Sequence, residues 1–135
     1  MYDQLGYSLY RSTASRALRA GELDDIIAGS RARNAARNLT GCLHYESGLF
    51  FQWLEGPQAA LEPVVAAIAH DDRHRDMVVL VEGTLEQRQF RDWQMRFTDS
   101  GDASLLDWLG SAQVSTLDRR DYAQAVMTFL RSVTP

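Results

Sequence analysis

The chain has 135 residues, a formal net charge of −4, 45% hydrophobic and 24% charged residues. That is the length and composition of a single folded domain, which excludes disorder. The mild acidity argues against a nucleic-acid binder, whose affinity rests on a basic patch. No stretch approaches the ~18 apolar residues of a membrane span, and Met1 to Tyr10 lacks a basic region followed by an apolar run. A cytoplasmic protein is the expectation. The single cysteine, Cys42, excludes an internal disulfide and a multi-cysteine zinc site. All 14 positive charges are arginine, which excludes Schiff-base chemistry, a lysine general base and a Walker phosphate loop.

In chain order, Leu5 to Tyr10 alternates as a strand, and Arg11 to Gly21 reads as a polar loop. Glu22 to about Arg37 reads as a helix, with Leu23, Ile26, Ile27 and Ser30 at i, i+3, i+4 and i+7. Acidic residues stand in its first turn and arginines near its end, which suits the helix dipole; Asn38 is placed to cap the C-terminus. Leu39 to Tyr45 and Leu49 to Leu54 read as a hairpin turning at Glu46-Ser47-Gly48. The second of these strands is a nearly continuous apolar run, so both of its faces are expected to be covered. Gly56-Pro57 is expected to end it, and a helix to start near Ala59 to Glu62 so that Pro63 falls in the first turn. Asp71 to Asp76 reads as a charged loop, Met77 to Val81 as a strand and Trp93 to Phe97 as a last short strand. After a turn at Asp99 to Gly101, a short helix is expected around Leu105 to Leu109. A final amphipathic helix is expected through Tyr122 to Leu130, capped by Asp118.

The order β-α-β-β-α-β-β is that of a ferredoxin-like α+β unit with two main helices on one sheet face. The two C-terminal helices, or a second copy of the chain, are expected to cover the other. Residues 1–98 then form the main domain and residues 99–135 a helical cap.

The three histidines, His44, His70 and His74, have no metal-site spacing and read as surface or structural residues. Cys42 has no neighbour that would activate it and reads as inert core. No nucleophile elbow or glycine-rich dinucleotide motif is present. What the pattern does single out is polar groups in apolar surroundings. Gln52 lies inside LFFQWL, Tyr10 ends the first strand, and Asn34 lies near the end of the first helix. A buried glutamine left unpaired costs about 1–3 kcal/mol. A structural hydrogen bond and a ligand contact remain equal readings for each of the three. On the split unit all three can converge in one cleft between helices and sheet.

Five stretches in this order carry a family resemblance: LYRS (Leu9 to Ser12), SRARNAARNLTG (Ser30 to Gly41), GLFFQWLEGP (Gly48 to Pro57), DDRHRDM (Asp71 to Met77) and RQFRDWQM (Arg88 to Met95). From about Leu5 to Phe97 the chain resembles the BLUF domain, a flavin-binding sensor of blue light. The resemblance implies a flavin ring between the two main helices, with Tyr10 as the photoactive donor and Gln52 as the bridge between tyrosine and flavin. It also implies that Asn34 bonds the pyrimidine edge and that Ser30 lies near the tip of that network. Trp93 and Met95 match the pair on the last strand that competes for the place beside the glutamine. Two positions depart from the pattern: Arg33 stands where many members have a second asparagine, and Ala67 where some have an arginine. Arg33 is the candidate substitute in the flavin contact.

The family habit implies FAD, with FMN and riboflavin presenting the same ring, and a homodimer that signals to an effector protein in trans with no enzymatic activity of its own. Two other readings of the scaffold compete: a flavin-free interaction module, and a small enzyme binding an oxyanion through Arg33 or Arg11.

Overall fold

Strand alternation decides the architecture, because it sends two different sets of side chains to the two faces of one sheet. The computed structural model describes residues 4–90, 96–99, 101–111 and 119–133. In chain order the elements are β1 (Leu5–Ala14), α1 (Glu22–Ala36), β2 (Thr40–Glu46), β3 (Leu49–Pro57), α2 (Gln58–Ala69), β4 (His74–Leu85), β5 (Arg96–Asp99), α3 (Leu105–Ser111) and α4 (Arg119–Val133). The sheet order is β4-β1-β3-β2-β5. β1, β2, β3 and β4 pair antiparallel as the ferredoxin-like unit requires, and β5 adds to the β2 edge in parallel. The expected α+β fold is thus the observed one.

One face carries Tyr10, Leu43, Phe50 and Leu54, packed under Ile27 of α1 and Leu61, Val64 and Ile68 of α2. The other carries Leu9, Cys42, Phe51 and Trp53, packed under Leu105 of α3 and Val126, Phe129 and Leu130 of α4. The C-terminal helices therefore supply the cover that the exposed sheet face needs. Each fully buried large side chain of this kind stabilises the fold by about 1.5–3 kcal/mol. Among the described residues, no helix is long and apolar enough to cross a membrane.

Several boundaries differ from the sequence reading. β1 runs on to Ala14, where a loop was expected, because Arg11, Ser12 and Thr13 pair with Phe51, Phe50 and Leu49. Their polar side chains find partners: Arg11 donates to the Tyr122 hydroxyl at 3.2 Å, and Ser12 meets His74. β3 continues through Gly56-Pro57, which pair with Gly6 and Leu5 at the strand end. β4 begins at His74 and reaches Leu85, lengthened at both ends by its pairing with β1. Glu46 belongs to β2 and pairs with Leu49, leaving Ser47-Gly48 as a two-residue turn with φ of 51° and 79°. Two positive φ values match the twist of the flanking strands.

α2 starts at Gln58, whose amide donates to the Gln4 carbonyl at 3.0 Å. That tight junction begins the helix earlier than expected and leaves Pro63 in the second turn. Asn38 takes the left-handed conformation expected of it, with φ 58°, and Leu39 N–H closes back on the Asn34 carbonyl at 2.9 Å. Gly41 is required by packing: a Cβ there would lie 1.9 Å from the Trp53 carbonyl oxygen. The described part of the last strand is Arg96–Asp99; expected residues Trp93 to Met95 and the Asp118 cap lie outside the described residues.

Candidate functional site

Tyr10 and Gln52 are direct partners in the β1–β3 ladder, and both side chains belong to the face under α1 and α2. They stand at the wall of a cleft of about 450 Å³, counting its open mouth. α1 contributes Ile26, Ser30 and Arg33, β2 and β3 contribute Leu43 and Phe50, and the end of α2 contributes Ile68. The α2–β4 junction adds Asp71, Arg73 and His74.

Why the sequence builds this cleft is visible in α1. Its buried face carries Ile27, Ser30 and Asn34 at helical spacing, so two of its three buried residues are polar. A helix that packed only on hydrocarbon would not place them there. Ser30 and Arg33 reach the cleft as expected. Asn34 is fully buried behind that lining, and its Oδ1 accepts from Arg33 Nε and Nη2, each at 3.3 Å. The structure therefore brings Tyr10, Gln52, Ser30 and Arg33 together at the cleft and sets Asn34 as the support that orients Arg33. Trp93 and Met95 lie outside the described residues.

The electrostatics follow from burial. Tyr10 is 3% exposed, and desolvation pushes its phenol well above the usual tyrosine value, with the Arg33 charge opposing. It stays a neutral O–H at any ordinary pH. Burial also lowers the Arg33 pKa. The Arg73 guanidinium donates to Asp71 and holds that carboxyl below its usual range.

His74 was read from the sequence as a surface or structural residue, yet it lines the cleft. Its Nε2–H donates to the Ile68 carbonyl, which leaves Nδ1 facing the Ser12 hydroxyl at 2.7 Å. Its ring lies 6.4 Å from that of Tyr10. Ser12, Asp71, Arg73 and His74 are the polar lining residues that the sequence reading does not name as site residues. The available signals are the LYRS stretch for Ser12 and the DDRHRDM stretch for the other three, which carry the family pattern without marking these side chains as site residues.

A flat heteroaromatic ring with carbonyls along one edge fits this donor set. Amide, hydroxyl and guanidinium groups line the cleft, and Ile26, Leu43, Phe50 and Ile68 supply apolar walls. A few placed polar groups among apolar walls is the ordinary form of a small-molecule site.

A ferredoxin-like sheet with such a cleft under its two main helices is the form of a small-molecule-binding α+β domain. The chain matches the family model described as BLUF, sensors of blue-light using FAD, over residues 5–96, and it belongs to that family. The family's function is blue-light sensing with a bound flavin. The chain is 37% identical over 81 residues to photoactivated adenylate cyclase subunit alpha of Euglena gracilis, a match spanning 60% of this chain and 8% of that protein. It is 29% identical over 91 residues to the blue light- and temperature-regulated antirepressor BluF of Escherichia coli (strain K12), covering 67% of this chain and 23% of that one. Among solved structures, the dark state of BlrB, a BLUF protein, superposes with a TM-score of 0.77 at 26% identity. That superposition covers 96% of this chain and 100% of BlrB. The chain thus spans under a tenth of the cyclase subunit's length, and BLUF domains serve effectors of several kinds.

Proposed function

We propose that this chain is a blue-light photoreceptor that binds a flavin non-covalently in the cleft between α1 and α2 and switches a hydrogen-bond network built on Tyr10 and Gln52. The observation that carries the reading is the direct opposition of these two residues across the β1–β3 ladder, at the wall of the cleft. FAD is the flavin proposed, gripped by its ring through Tyr10, Ser30, Arg33 and Gln52, with Asn34 supporting Arg33. Trp93 and Met95 complete the proposed set.

When bound, the flavin supplies absorption of blue light and, once excited, a strong oxidant. The chain's own residues do the rest. The buried, protonated phenol of Tyr10 is a neutral donor with a proton to move. Gln52 opposite it donates from one end of its amide and accepts at the other. Rotation or tautomerisation of that amide changes which end faces the cleft, and the new arrangement persists without a covalent bond. Cys42 lies on the opposite sheet face, its thiol pushed up by burial and kept protonated, so it takes no part.

The proposed organisation is a sensor domain of residues 1–98 and a helical cap of residues 99–135, acting in the cytoplasm as a homodimer on an effector protein in trans. Leu106, a large apolar residue 39% exposed on α3, supports an apolar contact there. Purification tests the reading. A yellow protein that releases FAD on denaturation is the expected result, and a colourless protein that takes up no flavin on reconstitution contradicts it.

A further inference from the structure

The cap side of the sheet holds two buried carboxylates that the flavin cleft does not use. Glu55 of β3 is fully buried and accepts four hydrogen bonds. Thr40 Oγ1 and Trp53 Nε1 donate to it at 2.9 Å, and the backbone amides of Gln89 and Phe90 at 2.8 Å. Glu46 of β2 is 4% exposed and likewise accepts four. His44 Nε2–H donates at 3.0 Å, Ser104 Oγ and the Leu105 amide at 2.7 Å, and the Leu106 amide at 3.3 Å. A carboxylate offers about four lone-pair sites, so both are filled. One pins the chain just before β5, and the other pins it just after, at the start of α3.

Between these anchors, β5 pairs with β2 in parallel, Cys42 to Tyr45 standing opposite Arg96 to Asp99 among the described residues. It is an edge strand, with β2 as its one neighbour in the sheet. Its Thr98 hydroxyl lies 2.8 Å from His44 Nδ1. The imidazole therefore bridges Thr98 on β5 to Glu46 of β2, which accepts from the first amides of α3, and it is fully buried with Phe129 of α4 edge-on at 5.1 Å. Because Glu46 only accepts, Nε2 carries the proton and Nδ1 is left to meet the threonine. Movement of Thr98 thus changes the orientation of the same ring that holds the carboxylate at the helix start.

We propose that Thr98, His44 and Glu46 form a positioning relay in which Glu46 fixes the start of α3 on the sheet and His44 keys that grip to β5. The proposal rests on the light-sensing reading and adds to it the residues by which the sheet addresses the C-terminal helices.

Hydrogen exchange at the Leu105 and Leu106 amides, with absorbance recorded on the same flavin-loaded samples, tests it. In the unaltered chain these amides are protected in the dark, and illumination changes their exchange. Glu46→Gln removes acceptor capacity and is expected to speed dark exchange at both amides about tenfold or more, with the light-induced absorbance change intact. Thr98→Val keeps shape and the carboxylate grip, so dark exchange stays within about threefold of the unaltered chain while the light-induced change is lost. A purely structural threonine would leave that light response in place. Unchanged dark exchange in Glu46→Gln overturns the grip, and a full light response in Thr98→Val overturns the key. Should Glu46→Gln fail to fold, Thr98→Val alone decides the key. A chain with a normal absorbance change but no light effect at Leu105 and Leu106 also overturns the relay. Absence of any absorbance change in the unaltered chain contradicts the light-sensing reading instead, and dark exchange in Glu46→Gln still decides the grip.

Discussion

The two faces of the sheet solve the problem of buried polarity in opposite ways. On the cap face, Glu46 and Glu55 each have four donors within the protein, and aromatic rings pack around them. Tyr7 stacks on Trp53 at 4.6 Å, and Trp108 leans on Phe129 at 6.1 Å. On the helix face, Tyr10, Gln52, Ser30 and Arg33 gather around a cleft of about 450 Å³. A saturated network specifies one structure, because any shift strands a buried donor or acceptor. Polar groups around open space can exchange partners. The same strands, alternating residue by residue, thus build a fully bonded support on one side and an open, switchable site on the other.

Deleting the support has the largest expected effect. Truncation after Thr98 uncovers Leu9, Cys42, Phe51 and Trp53 on one sheet face. A contiguous apolar patch of that kind is not tolerated by a soluble monomer, so light scattering is expected to show aggregation or a changed oligomeric state. A soluble truncated chain with unchanged assembly would contradict the assigned cover.

Glu55→Ala comes next. It strands the Thr40 hydroxyl, the Trp53 indole and the amides of Gln89 and Phe90. At about 1–3 kcal/mol for each unpaired group, a loss of at least about 3 kcal/mol is expected in urea denaturation. Tyr10→Phe, on the cleft side, removes one hydroxyl without changing shape and is expected to cost less than about 1.5 kcal/mol.

A smaller effect separates the faces by pH. Burial of Glu46 works to raise its pKa, but hydrogen bonds from His44, Ser104 and the amides of Leu105 and Leu106 outweigh it and hold the value below 4.5. A depressed folded pKa means that the unfolded chain binds the proton first as pH falls. The stabilisation is therefore whole above about pH 4.5 and is lost on descending through the folded value. Asp71 and Glu22 are depressed in the same direction, so the measurement is the stability difference between the unaltered chain and Glu46→Gln at about pH 6 and about pH 3.5. The difference is expected to shrink at the lower pH; a constant difference would contradict the charged grip.

The smallest effect on stability is expected at the cleft mouth. Arg33→Ala removes a half-buried guanidinium with its donors, and flavin affinity is expected to fall about tenfold, read by flavin titration, with the denaturation midpoint nearly unchanged.

The alternation of β1, the apolar run of β3 and the spacing of α1 and α2 made the sheet and its layers legible from sequence, because burial writes a period into the residues. Gln52 stands out because it interrupts the apolar run of β3, but for it and for Tyr10 the pattern leaves a structural hydrogen bond and a ligand contact equal, and their roles come from the family resemblance. Ser30 and Arg33 came from the family resemblance. His74 was not legible as a site residue, since it lies at the start of a strand whose charged approach, Asp71 to Arg73, looks like any solvated loop. The relay was hidden for a similar reason. Glu46 sits beside a two-residue turn and was read as part of it. Its partners Ser104 and Leu105 are 58 and 59 residues away, and no local pattern reports a contact at that range.

The central claim is that Tyr10 and Gln52 act together as the light switch of the cleft. The most direct measurement is the absorption spectrum of the flavin-loaded chain before and after blue light, beside Gln52→Leu and Tyr10→Phe. The account predicts a reversible red shift in the unaltered chain, and two variants that still bind flavin and show none. A normal red shift and recovery in either variant would contradict it.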